Sequence, residues 1–102
     1  MGGMLREKLE ILLREELFET IKICIKQYGY RPSYFQQMLN NYGPVKTAIR
    51  LVMADQPYEG FTRLWELGRL DLTVEAIILR EPFRQLFADE VLKKANEKLR
   101  QL

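Results

Sequence analysis

Apolar residues recur at spacings of three and four along this chain, and no alternating run is bounded by hairpin turn signals. The pattern predicts an all-α protein, a compact bundle of about five to seven helices with a long N-terminal helix. Residues 1–102 form a single helical domain in this reading. Residues 1–28 make the N-terminal helix, suited to act as an oligomerisation arm, and residues 29–102 make the helical core.

The first helix is expected from about residue 4 to Tyr28. Its apolar face is not one straight stripe. At ~100° per residue, Leu5, Leu9, Leu12 and Leu13 centre on one direction. Leu17, Ile21, Cys24, Ile25 and Tyr28 centre roughly 140° further round. The helix bends or breaks near Arg14 to Glu16, or its first half faces something else, such as a second copy of the chain. The remaining alternative is a helix covered by its own domain on two sides. Leu5, Leu9, Leu12 and Leu13 are therefore the candidate protein interface.

Punctuation divides the rest. Gly29 suits a helix C-terminus, and Ser33 with Gln36 three residues later fits a capping box. Tyr34, Phe35, Met38 and Leu39 form the inner face of a second helix that ends at Tyr42-Gly43. Pro44 fits the first turn of a third helix, with Val45, Ala48, Ile49 and Val52 inward and Lys46, Thr47 and Arg50 elsewhere. Asp55-Gln56-Pro57 breaks the chain. A short helix is expected over about 60–67, with Trp65 in the core, and Gly68 stops it. Asp71 or Thr73 caps the next helix, whose Glu75 reads as a first-turn acid favoured by the helix dipole. A last helix, capped by Asp89, carries Leu92, Ala95, Leu99 and Leu102 inward and exposes Lys93, Lys94, Lys98 and Arg100.

Composition narrows the chemistry. The 102 residues contain no histidine and one cysteine, Cys24. A Ser-His-Asp or Cys-His active site cannot be built within one chain, and neither can a usual zinc site of cysteines and histidines. Asp71 and Glu75 read as cap and first-turn acid rather than as a catalytic or metal-binding pair. No catalytic, metal-binding or cofactor-binding residue is assigned, and the protein is read as a non-enzyme. With no disulfide framework, no apolar run of membrane-spanning length and an N-terminus unlike a signal peptide, a cytoplasmic setting is expected.

The net charge of +2 hides an uneven distribution. Residues 20–54 contain Lys22, Lys26, Arg31, Lys46 and Arg50 and no acid, interleaved with Tyr28, Tyr30, Tyr34, Phe35 and Tyr42. Cations beside aromatic rings serve phosphates and base stacking. These five are candidate nucleic-acid contacts. Residues 34–52 also invite comparison with a helix-turn-helix, in which Lys46, Thr47 and Arg50 would face the major groove.

The run Gly60-Phe61, Leu64-Trp65, Gly68-Arg69-Leu70-Asp71, Thr73-Val74-Glu75 resembles a signature of small bacterial all-helical proteins with no established activity. The resemblance extends to Tyr30-Arg31-Pro32, Tyr42-Gly43 and Leu86-Phe87, and covers about residues 28–102. It implies a bacterial source and a compact helical domain, and no catalytic residue. The resulting expectation is a non-catalytic interaction module that binds itself or another protein. The alternative is a nucleic-acid accessory protein using the acid-free block.

Overall fold

The structure, a computed structural model, describes residues 2–101, and side chains from Leu5 onward. Leu102, expected on the inner face of the last helix, lies outside the described residues. Among the described residues there are five helices: α1 (Gly2–Tyr28), α2 (Ser33–Met53), α3 (Glu59–Glu66), α4 (Val74–Ile78) and α5 (Asp89–Arg100). Two 3-10 turns, Leu70–Leu72 and Phe83–Leu86, flank α4. The all-α architecture and the long first helix are as expected. At ~1.5 Å per residue, α1 alone accounts for the 41 Å long axis of the molecule.

α1 runs without a break. Leu9, Leu13, Leu17 and Ile21 are all buried and stand four residues apart. Each step of four advances ~40° round the helix, so a stripe with this spacing winds. The drift in the sequence is this winding, and the chain covers it from two sides. Leu9 to Ile21 enter the main core with α2, α4 and α5. Cys24 enters a smaller cluster with Leu64 and Leu72. Of the alternatives the drift left open, a break near Arg14 to Glu16 does not occur, because no residue there interrupts the backbone, and the helix is covered by its own chain.

α2 combines the expected second and third helices. The chain departs from helical geometry at Gly43, with φ at +81°. That conformation is open to glycine at little cost, and Pro44 then restarts the helix without needing a backbone donor. The Ser33 capping box does not form. Pro32 occupies the cap position, and no side chain bonds the first turn of α2. Thr73, rather than Asp71, caps α4: its hydroxyl accepts from the Ala76 N–H at 3.2 Å and donates to the Leu70 carbonyl at 2.7 Å. Ala88, rather than Asp89, precedes α5 as its cap, and Asp89 is the first helical residue.

Gly68 ends α3 as expected, with φ at +73°. The Arg69 N–H reaches back to the Leu64 carbonyl at 2.8 Å, and the Gly68 N–H to the Trp65 carbonyl at 3.0 Å. This closure turns the chain into the Leu70–Leu72 turn and sends Phe61 and Leu64 inward. Trp65 departs from its expected place in the core and is exposed, as is Met53. An eight-residue helix has room for one buried ridge, and Phe61 and Leu64 fill it.

Candidate functional site

A cleft of about 420 Å³ opens where the α1–α2 connection meets the start of α3. Tyr30, Arg31, Pro32, Tyr34, Tyr58 and Glu59 form most of its wall. Pro32 and Gly29 place these groups by ending one helix and redirecting the chain into the next. Tyr34 stands at this cleft with 65% of its surface exposed. The Arg63 guanidinium lies 5.6 Å from the centre of the Tyr30 ring, which holds that ring against α3.

Beneath the cleft lies a buried charge network. The Tyr58 hydroxyl donates to Glu75 Oε1 at 2.5 Å. Lys98 Nζ stands 2.8 Å from Glu75 Oε2, in an ion pair without good hydrogen-bond alignment. Lys98 also donates to the carbonyls of Leu51 at 3.0 Å and Val52 at 3.4 Å. It therefore closes the open C-terminal end of α2 as well as neutralising Glu75. The rings of Tyr58 and Phe61 lie 5.2 and 5.5 Å from the ammonium. Glu75 is 0% exposed and the Lys98 side chain 10%.

Glu75 is a first-turn acid of α4 as expected, but it is fully buried rather than held by the helix dipole alone. Lys98, expected on the exposed face of α5, is a correction: its side chain is turned inward. Both had a signal in the sequence. Lys98 continues the inward stripe of Val91 and Ala95 at spacings of four and three, where an apolar residue belongs. Glu75 lies in a five-residue helix whose Val74, Ile77 and Ile78 are all buried. A helix buried on nearly all sides leaves no solvated face for a carboxylate.

Burial and the neighbouring Glu75 carboxylate push the Tyr58 phenol well above its ordinary pKa of 10.0. Below about pH 10 the phenol is neutral in folded and unfolded chains, and its contribution to stability is fully present. Above that pH the unfolded chain ionises first, so stability falls as pH rises. Burial raises Cys24 and Tyr30 as well, which adds to the same trend. The urea midpoint is expected to decline between about pH 9 and 11, and Tyr58→Phe to flatten the part above about pH 10. An unchanged slope in Tyr58→Phe would count against this account.

The remaining predicted residues separate. Leu9 and Leu13 belong to the chain's own core, so they leave the candidate interface. Leu5 and Leu12 stay outside, 54% and 46% exposed. Two leucines fall far short of the ~800 Å² per partner that a stable interface usually buries. The five basic candidates do not converge. Lys22 and Lys26 stand on the second half of α1, where Lys22 leans on Glu19 at 3.9 Å. Arg31 belongs to the tyrosine-lined cleft. Lys46 and Arg50 lie on the second limb of α2. Thr47, expected to face a DNA groove, is fully buried, so the helix-turn-helix comparison fails at that position. Its hydroxyl has no hydrogen-bond partner in the core.

Asp71 serves the turn after α3. Arg69 holds both its carboxylate oxygens at 3.0 Å and donates to the Tyr28 hydroxyl at 2.8 Å, tying the turn to the end of α1. The paired guanidinium keeps the Asp71 carboxyl below its ordinary range. Among the described residues, no three metal-ligating side chains cluster. No helix among them is long and apolar enough to cross a membrane. No family model matches the chain, and no curated protein or solved structure shows significant similarity to it.

Proposed function

We propose that this protein is a non-catalytic helical module that binds a segment of another protein in the tyrosine-lined cleft. The carrying observation is the cleft itself. Its wall combines exposed Tyr34, Tyr30 backed by Arg63, and Arg31, on a rigid frame. Tyrosine and arginine are the side chains that most often dominate protein interfaces, because they offer large contact area with a polar end. The frame is rigid because Tyr58, in the same wall, is anchored to Glu75, and Glu75 to Lys98.

The same network argues for binding over chemistry. Both Glu75 oxygens already face partners within the protein, and the Lys98 ammonium is shared between Glu75 and two carbonyls. Groups held in this way serve the frame. The cleft is a better candidate than the leucines of α1, because the fold itself takes up two of those four.

Selection from a random peptide library tests the reading. Peptides enriched on the protein are expected to bind it in solution and to lose at least tenfold in affinity on Tyr34→Ala. Tyr34 is mostly solvent-exposed, so the variant should keep the wild-type melting curve. Enrichment no greater on the wild type than on Tyr34→Ala would refute the proposal.

A further inference from the structure

A second hollow of about 360 Å³ opens where the kink of α2 rests against the first half of α1. Arg6, Arg14, Tyr42 and Lys46 line it, with Glu10 as the acid in its wall. Glu10 is already engaged by Arg6 at 3.5 Å. The Arg14 guanidinium lies over Gly43, 3.7 Å from the position a Cβ would take there. Arg50 follows Lys46 by one helical turn and stacks on the Tyr42 ring, 4.2 Å from its centre. Tyr42 remains 43% exposed.

Arg14 and Lys46 thus line one hollow, and Arg50 stands beside it against Tyr42. Among the described residues, none of them forms an ion pair or a hydrogen bond through its side chain. The carboxylate in the wall, Glu10, is engaged by Arg6, so the three cations have no acid of their own, and an anion that enters relieves their mutual repulsion. The kink assembles the group. Gly43 lets α2 depart from helical geometry beside Arg14, and Pro44 sets the limb that carries Lys46 and Arg50.

We propose that this hollow binds the backbone of single-stranded nucleic acid, with Arg14, Lys46 and Arg50 on phosphates and the Tyr42–Arg50 stack against a base. A single strand is favoured over a duplex because only unpaired bases offer a face to an exposed ring. This surface is separate from the tyrosine-lined cleft and does not depend on it. It draws on two of the five basic residues singled out in the sequence, Lys46 and Arg50, and adds Arg14 from outside the acid-free block. Lys22 stands ~12 Å further along α1 than Arg14 and Lys26 ~18 Å, so neither belongs to the hollow.

Fluorescence anisotropy with labelled twelve-nucleotide oligo(dT), oligo(U) and a DNA duplex tests the proposal. Three phosphate contacts predict a log–log salt slope of about −2 for the single strands. Lys46→Glu/Arg50→Glu should weaken binding at least tenfold. Tyr42→Ala should weaken it by about tenfold with little change in slope. Lys22→Glu/Lys26→Glu changes the net charge equally and should have a much smaller effect. All these side chains are exposed, and superimposable circular dichroism spectra would confirm folding of each variant. No binding at about 20 mM salt overturns the proposal, since electrostatic binding is strongest at low salt. Equal loss in both charge-reversed pairs overturns it as a local site. Tighter binding of the duplex overturns the single-strand assignment.

Discussion

Lys98→Ala is expected to destabilise the protein by about 3–5 kcal/mol, because it strands a fully buried carboxylate. For a domain of this size that lowers the melting temperature by roughly 15–30 °C. The cost comes from Glu75 far more than from any attraction lost. Glu75 would keep one neutral donor, Tyr58, and no counter-charge. The carbonyls of Leu51 and Val52 would lose a donor at the end of α2. The double variant Glu75→Leu/Lys98→Met separates these terms. With no charge left to bury, it should recover most of the loss, since apolar replacement of a buried pair is often neutral. The shortfall should be about 1 kcal/mol, the worth of the lost hydrogen bonds. Urea unfolding of the wild type, Lys98→Ala and the double variant measures the loss, the recovery and the shortfall. A Lys98→Ala protein within about 1 kcal/mol of wild type would show that Glu75 is not held as described.

Leu13→Ala should cost about 2–5 kcal/mol, the range for removing a large side chain from a packed core. Leu13 is 0% exposed and sits midway along the wound stripe of α1. Leu12→Ala, one residue away, should stay within about 0.5 kcal/mol. The contrast is informative because periodicity put the two residues on one face. Sedimentation of both variants completes the test. The loss in Leu13→Ala should show in the unfolding curve with no change in mass, since the residue packs within its own chain. A Leu12→Ala variant as unstable as Leu13→Ala would restore the view that this whole face is covered, and with it the case for self-association.

The two results address what was legible in the sequence. Helix ends were legible wherever backbone conformation limits the choice of residue, at Gly43 with Pro44 and at Gly68, while the cap of α4 was narrowed only to Asp71 or Thr73. Those signals are local, so a linear reading captures them. Side-chain direction was less legible. Periodicity places a residue on a face but does not say what lies opposite. Lys98 looked solvated because lysine usually is, and only the ends of α2 and α4 meeting beside it make it a buried group. Trp65 looked buried because tryptophan usually is, and α3 is too short to bury it beside Phe61 and Leu64.

The candidate sites followed the same division. The sequence pointed to an acid-free, tyrosine-rich middle and to leucines in the first helix. It could not sort them, because their distances depend on how α2 crosses α1. The fold sends Arg31 to one cleft, Lys46 to another with Arg50 beside it against Tyr42, and Leu9 and Leu13 into the core.

By itself the sequence determined the all-helical class, the long first helix and most of the breaks, because each rests on interactions within a few residues. The tertiary structure alone decided which charges are buried, which aromatics face solvent and which cations share a surface. Those properties belong to pairs of residues far apart in the chain, such as Lys98 with Glu75 and Arg14 with Gly43, and only packing brings them together.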